Sequence, residues 1–288
     1  MKKISFFKLS GAGNDFILID KKKNPEFTLN RDIIKRLSDR RNGVGADGVI
    51  TISDSKSYDF DMEYFNADGS TGSLCGNGAR CAIKFADFSG RINSGKANFL
   101  SNNVPYSGEV LGENKIKFNF NSPKDLKINF NISAFNQMIN ASYVNTGSPH
   151  VVIKIKDVMK EPGNHNLEFT DLDKFPVFEI GKEIRYHNDF EPAGTNVNFI
   201  KIVDGKVYLR TYERGVEDET LACGTGAAAS ALIAYYGGNI KPPVILITRG
   251  GDELIVDFSI ENNNIKNLSL TGPAKITFTG EFSLNQFN

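Results

Sequence analysis

Cys75-Gly76-Asn77-Gly78-Ala79-Arg80-Cys81-Ala82-Ile83-Lys84-Phe85-Ala86 and Cys223-Gly224-Thr225-Gly226-Ala227-Ala228-Ala229-Ser230-Ala231-Leu232-Ile233-Ala234 are variants of one phrase, found once in each half of the 288-residue chain. Each reads as a cysteine at the start of an apolar, Ala-rich helix. Such a helix has no polar face to offer water, so it belongs at the centre of a domain. A thiol at a helix N-terminus feels the positive end of the macrodipole, which favours thiolate. The neighbouring glycines leave backbone N–H groups able to receive a carboxylate. Two such devices facing each other would set one sulfur on either side of a small acidic molecule, an arrangement suited to removing a proton from one face of a carbon and returning one to the other.

Outward from these helices most of the chain reads as short strands. Alternating, β-branched or aromatic runs occur at Phe16–Ile19, Val49–Ile52, Phe60–Phe65, Ile116–Phe120, Val151–Ile155, Phe199–Val203, Val207–Tyr212, Val244–Thr248 and Ile276–Phe278. Asp204-Gly205 between two of them predicts a hairpin turn. A further helix is expected over Leu29–Arg41, capped by Asn30 and ended by Asn42-Gly43, and another helical piece between Leu167 and Lys174. Many strands around a few buried helices predict an α+β fold. The halves also echo each other beyond the cysteines. Tyr64 precedes Cys75 by 11 residues and Tyr212 precedes Cys223 by 11, while Gly13–Ile17 can be laid over Gly147–Val151. A duplicated domain follows, with a boundary near Ser122-Pro123.

Composition narrows the function. Hydrophobic content of 40% and charged content of 24% are those of a globular protein. Lys+Arg 34 against Asp+Glu 34 offers no basic face for nucleic acid or an anionic membrane. Lys8 breaks the apolar run at the N-terminus after four residues, too short for a signal segment, and nothing approaches a spanning helix. Three cysteines argue against a disulfide framework and for a reducing compartment, so the expected location is cytoplasmic. Gly43-Val44-Gly45-Ala46-Asp47-Gly48 fits a dinucleotide fingerprint, but it follows a helix and precedes a strand, the reverse of the required order, and reads as a turn. His150, His165 and His187 have no helical i, i+4 partner, and Cys75 and Cys81 are spaced for no usual zinc site, so no metal is expected. Nothing positive argues for pyridoxal phosphate, and the expected cofactor count is zero. Cys81, inside its apolar helix, reads as a small core residue. Glu213-Arg214 ahead of Cys223, and Asn66-Ala67-Asp68-Gly69-Ser70 ahead of Cys75, supply an acid, a guanidinium and amides suited to the two ends of an amino acid.

In order along the chain, Lys8–Phe16, Arg41–Gly48, Phe65–Ser70, Cys75–Cys81, Gly147–His150, Asn196–Phe199, Tyr212–Gly215, Glu219–Gly226 and Gly272–Ala274 resemble the motifs of the diaminopimelate epimerases, enzymes that work without pyridoxal phosphate in bacterial lysine and peptidoglycan-precursor synthesis. The resemblance covers nearly the whole chain. It implies two similar domains, each a barrel-like, mostly antiparallel sheet wrapped on a central helix, with the site in the cleft between them. The first domain would take 1–122 plus 274–288, since the final strand returns to it, and the second 123–273. It also implies that one of Cys75 and Cys223 is the thiolate base and the other the thiol acid, interconverting LL- and meso-diaminopimelate. Gly76, Asn77, Gly224 and Thr225 would hold the reacting carboxylate. Glu213, with His150 nearby, would receive the reacting ammonium, and Asn14, Asn66, Asn196 and Arg214 would read the distal end. A homodimer stays open. Two departures stand out: Ser148 stands where the family usually has Asn, its shorter side chain leaving the contact with the distal end lost or bridged by water, and the loop Gly215–Thr220 is one residue longer than the commonest form. The alternative reading is a cofactor-independent racemase or epimerase of another amino acid, such as proline or hydroxyproline.

Overall fold

A computed structural model of the chain describes residues 3–72, 75–164, 167–238 and 240–283. It divides into two compact units, Met1–Asn119 with Thr271–Asn288, and Phe120–Leu270. The first contains strands β1 (Lys3–Gly11) and β2 (Asn14–Asp20), helix α1 (Arg31–Ser38), β3 (Gly48–Ser53), β4 (Phe60–Asn66), helix α2 (Gly76–Phe88), β5 (Lys96–Ser101), β6 (Val104–Gly112) and β7 (Lys115–Asn119). The second contains β8 (Lys124–Ala134), β9 (Gln137–Asn145), β10 (Pro149–Lys154), α3 (Val177–Arg185), β11 (Asn196–Val203), β12 (Lys206–Glu213), β13 (Asp218–Thr220), α4 (Gly224–Tyr236), β14 (Val244–Ile247), β15 (Glu253–Glu261) and most of β16 (Asn264–Pro273). The last strand, β17 (Lys275–Ser283), runs antiparallel to β1, from Lys3↔Ser283 to Ser10↔Lys275.

Strand directions repeat between the units. In the first, β2–β3 is parallel, β3–β4 antiparallel, β4–β5 parallel and β5–β6 antiparallel. In the second, β10–β11 is parallel, β11–β12 antiparallel, β12–β14 parallel and β14–β15 antiparallel. Each parallel step is a crossover, and a helix fills each one. The Ala-rich helices α2 and α4 occupy the second crossover of their units and are buried around nearly their whole circumference. Helix α2 packs on β1, β2, β3, β4, β6, β7 and β17, and α4 on β9, β10, β11, β12, β14 and β15, so each sheet wraps its helix. The fold is α+β.

Small residues make this possible. Ala227, Ala228, Ala229, Ala231 and Ala234 let strands approach α4 from all sides, whereas the opposite face of these strands carries the bulkier Val151, Phe199 and Tyr212, which pack with Val177, Ile180 and Ile184 of α3. In the first unit Phe60 and Phe99, paired across β4–β5, stack at 4.8 Å with rings 8° apart. Each such ring taken from water contributes about 1.5–3 kcal/mol.

The outer helices differ from their sequence readings. Asn30 does cap α1, accepting the Ile33 N–H at 2.9 Å, but the helix stops at Ser38 rather than Arg41. Asp39 turns back to accept the N–H groups of Arg41 and Asn42, and Arg40 is drawn to Asp15 and Asp47. The helix expected over Leu167–Lys174 is absent there. Lys160 and Leu167 pair through the backbone, Glu168 bridges Met159, and the helix begins only after Pro176, as α3. The Gly43–Gly48 segment is a turn between α1 and β3, as its order implied. Asp204-Gly205, both at positive φ, close the β11–β12 hairpin.

Candidate active site

Cys75 and Cys223 are the N-caps of α2 and α4, and the local geometry is the same in both. The Cys75 sulfur accepts the Gly78 N–H at 3.3 Å and its carbonyl accepts the Ala79 N–H at 2.8 Å. The Cys223 sulfur accepts the Gly226 N–H at 3.4 Å and its carbonyl the Ala227 N–H at 2.8 Å. Each sulfur therefore sits where a serine or aspartate oxygen normally caps a helix, at the positive end of the dipole. The N–H groups of Gly76 and Asn77, and of Gly224 and Thr225, precede the first helical hydrogen bond of their helices, the position from which backbone donors hold carboxylates. Cys75 is partly exposed and Cys223 buried, and all three cysteines are free thiols. Cys81 is different. It has no exposure, and burial pushes its thiol up to about 12, so it stays protonated in the core.

In the first unit, Asn77 is held at both ends of its amide. Its Nδ2 donates to Asn14 Oδ1 at 2.6 Å, and its Oδ1 accepts from the fully buried Arg80 at 3.0 Å. Asn14 in turn donates to Asp47 Oδ2 at 2.9 Å. Asp47 and Asp15 share the Arg40 guanidinium, and Lys8 closes on Asp15 at 2.6 Å. Burial raises the Asp15 carboxyl, but hydrogen bonds from Arg40 and Lys8 outweigh it and hold the group below its ordinary value. A charged lattice thus fixes the two amides beside Cys75. Asn66 stands apart from that chain, at the end of β4, with its Nδ2 on Ser70 Oγ at 3.0 Å.

The second unit gathers more of the expected residues. His150 has no exposure. Its Nε2 lies 2.9 Å from Ser148 Oγ and 2.8 Å from Thr225 Oγ1, and Thr225 Oγ1 lies 3.4 Å from the Cys223 sulfur. Asn196 donates to the Pro149 carbonyl at 2.8 Å and accepts the Arg214 N–H at 2.9 Å. Glu213 accepts the Thr220 hydroxyl at 2.8 Å. The Arg214 guanidinium reaches the Ala193 carbonyl and borders a cavity of about 760 Å³ with Lys127, Tyr143 and Phe190. Both ring nitrogens of His150 face protein groups, Nδ1 towards Asn198 and Nε2 towards Ser148 and Thr225. Ser148 likewise turns its hydroxyl inward.

Burial, reinforced by the Arg214 charge, pushes His150 down to about 3. An unfolded chain binds this proton near the ordinary value of about 6.5. Between those limits only the unfolded state is protonated, so stability falls as pH drops, by up to about 1.4 kcal/mol per pH unit from this group. From pH 7 to 5 the wild-type protein should lose about 2 kcal/mol more than His150→Gln, read from denaturant midpoints. Equal losses in the two proteins would contradict a neutral buried ring.

Several residues of these constellations were given no part in the site by the sequence reading: Asp15, Asp47, Arg40, Lys8 and Arg80 around Asn14 and Asn77, and Asn198 and Thr211 behind His150. Asn198 carried a signal, since Asn196-Val197-Asn198-Phe199 alternates along one strand and puts both amides on one face. Arg80 carried another, as the lone arginine of an apolar helix. His187 accepts the Asp189 N–H and caps a short 3₁₀ turn, whereas His165 lies outside the described residues. Among the described residues no group of three or more His, Cys, Asp or Glu side chains is placed to hold a metal. No helix among them is long and apolar enough to cross a membrane.

Comparison with known proteins agrees with this geometry. The diaminopimelate epimerase family model matches residues 6–122 and 142–277. Diaminopimelate epimerase from Chlorobaculum tepidum is 37% identical over 279 residues, spanning 96% of this chain and 100% of its own. The same enzyme from Aquifex aeolicus is 37% identical over 292 residues, spanning 97% and 98%. Among solved structures, a probable proline racemase from Agrobacterium radiobacter superposes with a TM-score of 0.73 at 12% identity, covering 99% of this chain and 94% of that one. A hydroxyproline epimerase from Agrobacterium vitis does so with 0.68 at 15%, covering 98% and 93%. These two share the fold. With the motifs, the paired cysteine caps and full-length relatives in agreement, the chain belongs to the diaminopimelate epimerase family.

Proposed function

We propose that the protein is a cytoplasmic, cofactor-independent isomerase that interconverts LL- and meso-2,6-diaminopimelate through Cys75 and Cys223. The observation that carries this reading is the doubled cap: in each unit a free thiol takes the N–H of the third residue beyond it, at the head of a buried helix, in a chain of this family. One thiolate removes the α-proton, and the other thiol delivers a proton to the opposite face. The reverse reaction exchanges their jobs. An α-proton is far less acidic than a thiol, so the developing carbanion must be stabilised by donors already in place, typically the largest single contribution. The N–H groups of Gly76, Asn77, Gly224 and Thr225 are the donors for the reacting carboxylate. Glu213 takes the reacting ammonium. Asn14, Asn66, Asn196 and Arg214 read the distal carboxylate and amine, and Arg214, half-buried and held below its ordinary value by desolvation and by Arg185, gains most from a carboxylate.

Reduced protein, freed of small molecules and given LL-diaminopimelate alone, should form the meso isomer to near-equal proportions on chiral separation, and leave proline and hydroxyproline unchanged. Racemisation of proline with no action on diaminopimelate would keep the thiol chemistry and overturn the substrate.

A further inference from the structure

The groups behind Cys223 are not matched behind Cys75. In the first unit the residue two beyond the cysteine is Asn77, whose amide is committed to Asn14 and Arg80. In the second it is Thr225, whose hydroxyl lies between the Cys223 sulfur and the His150 ring. The directions of the hydrogen bonds along this line can be worked out from its inner end. Asn198 Nδ2 lies 3.0 Å from the Val151 carbonyl, which only accepts, so that atom is the amide nitrogen. Its Oδ1 accepts the Thr211 hydroxyl at 3.0 Å, which agrees. The same Nδ2 lies 3.0 Å from His150 Nδ1, which must then be the unprotonated ring nitrogen. A neutral imidazole with a bare Nδ1 carries its proton on Nε2. That Nε2–H points at Thr225 Oγ1 and Ser148 Oγ, themselves 3.1 Å apart. The single Nε2–H is shared between these two hydroxyl oxygens, Ser148 Oγ also faces Asn196 Nδ2 at 3.5 Å, and at the outer end of the line stands a sulfur, which as thiolate can only accept.

We infer that the Thr225 hydroxyl is a positioning donor to the Cys223 thiolate, aimed by the Nε2–H of a neutral His150 that Asn198 and Thr211 hold in that tautomer. This rests on the reading of Cys223 as an acid–base thiol, and it assigns the hydroxyl of Thr225 a task separate from that of its backbone N–H. Hydrogen bonds aligned in one direction polarise each other, so the last donor is stronger than an isolated hydroxyl would be. Ser148 belongs to the same cluster. Its hydroxyl steadies the Nε2–H, a use of this position distinct from contact with the distal end of a substrate. The charge bearing on the ring is that of Arg214, which opposes protonation of His150 and so preserves the tautomer. The two thiols are therefore tuned differently. Cys223 is set by a side-chain relay, whereas a lattice of amides and charges stands beside Cys75.

The test reads the thiol itself, so it stands or falls separately from the choice of substrate. Iodoacetamide alkylation of Cys223 and Cys75 is followed in one sample by peptide mass analysis across pH. In Thr225→Val, which keeps shape and loses the hydroxyl, the Cys223 profile should move up by about one pH unit, a roughly tenfold slower reaction below its midpoint, with the same plateau at high pH. Cys75 should be unmoved, and Thr225→Ser should return Cys223 to the wild-type profile. An unchanged Cys223 profile, or equal shifts at both cysteines, would overturn the inference. Should the valine variant fail to fold, ¹⁵N spectra of the histidine rings in the unaltered protein decide it: a ring held as the Nε2–H tautomer across neutral pH supports the relay, and a protonated Nδ1 or a titration near the ordinary histidine value refutes it.

Discussion

Cys75→Ala and Cys223→Ala should each lower kcat for diaminopimelate epimerisation by about 10²–10⁴-fold or more, the range a positioned acid or base normally supplies. The two substitutions should differ in stability. Removing the buried, capping Cys223 should cost about 1 kcal/mol, as loss of an N-cap typically does, and the partly exposed Cys75 less. Cys81→Ala is the internal control. It removes a sulfur from the core of α2, so it weakens packing by the order of 1 kcal/mol, but it leaves turnover at the wild-type level because that thiol stays protonated and enclosed. Steady-state kinetics on the three variants check this. Loss of activity in Cys81→Ala equal to that in the other two would show that the assignment confuses packing with chemistry.

Gly226→Ala should be nearly as damaging, for a steric reason. A Cβ at Gly226 would stand 2.4 Å from Asn198 Oδ1 and 3.3 Å from the Cys223 sulfur. Asn198 is tied to His150, Val151 and Thr211, so it cannot swing aside without breaking the support of the ring. Overpacking of this kind costs about 1–3 kcal/mol, and displacing groups around a reacting sulfur by about 1 Å typically costs about 10²-fold in rate. The equivalent glycine of the first unit has room. A Cβ at Gly78 would meet Ile50 at 3.4 Å and Cys75 at 3.5 Å, ordinary contacts. Gly78→Ala should therefore cost far less in both thermal midpoint and kcat. If the two alanine variants proved equally impaired, crowding of Asn198 would not be the reason for glycine at 226.

The sequence made the centre of each unit legible because its signals are local. A cysteine, two glycines and an all-apolar helix declare a buried N-terminus wherever they stand, and both appear as read. Strands such as β3 and β11 announced themselves by branched residues. Other strands were passed over. β8 alternates regularly, with Leu126, Ile128, Phe130, Ile132 and Ala134 turned inward and Lys127, Asn129, Asn131 and Ser133 outward, and only its register with β9 shifts, between Lys124 and Phe130. In β1, Lys8 looked like the end of an apolar run. It is instead buried mid-strand, because its ammonium meets Asp15 and the Gly45 carbonyl. Helix α3 lies beyond the Leu167–Lys174 stretch expected to be helical, starting after Pro176 and carrying Gly181 in its interior. The proline begins the helix, and the glycine permits its close packing on Tyr212, 2.5 Å from where a Cβ would lie. Of the site, the residues that touch each other through backbone neighbours were visible. Partners joined only by the fold, such as Asn198 with His150 or Asp47 with Asn14, depend on strand register, which pattern alone does not supply.

The central claim is that one thiol takes the α-proton and a different one returns it. The most direct measurement is conversion of LL-diaminopimelate in D₂O, stopped early, with deuterium at the α-carbon measured separately in product and in recovered substrate. Two thiols predict product carrying solvent deuterium at the inverted centre, while substrate recovered in the first turnovers carries almost none. Equal labelling of both would mean that a single group removes and restores the proton, and product free of deuterium would mean that the proton never reaches a solvent-exchanging thiol.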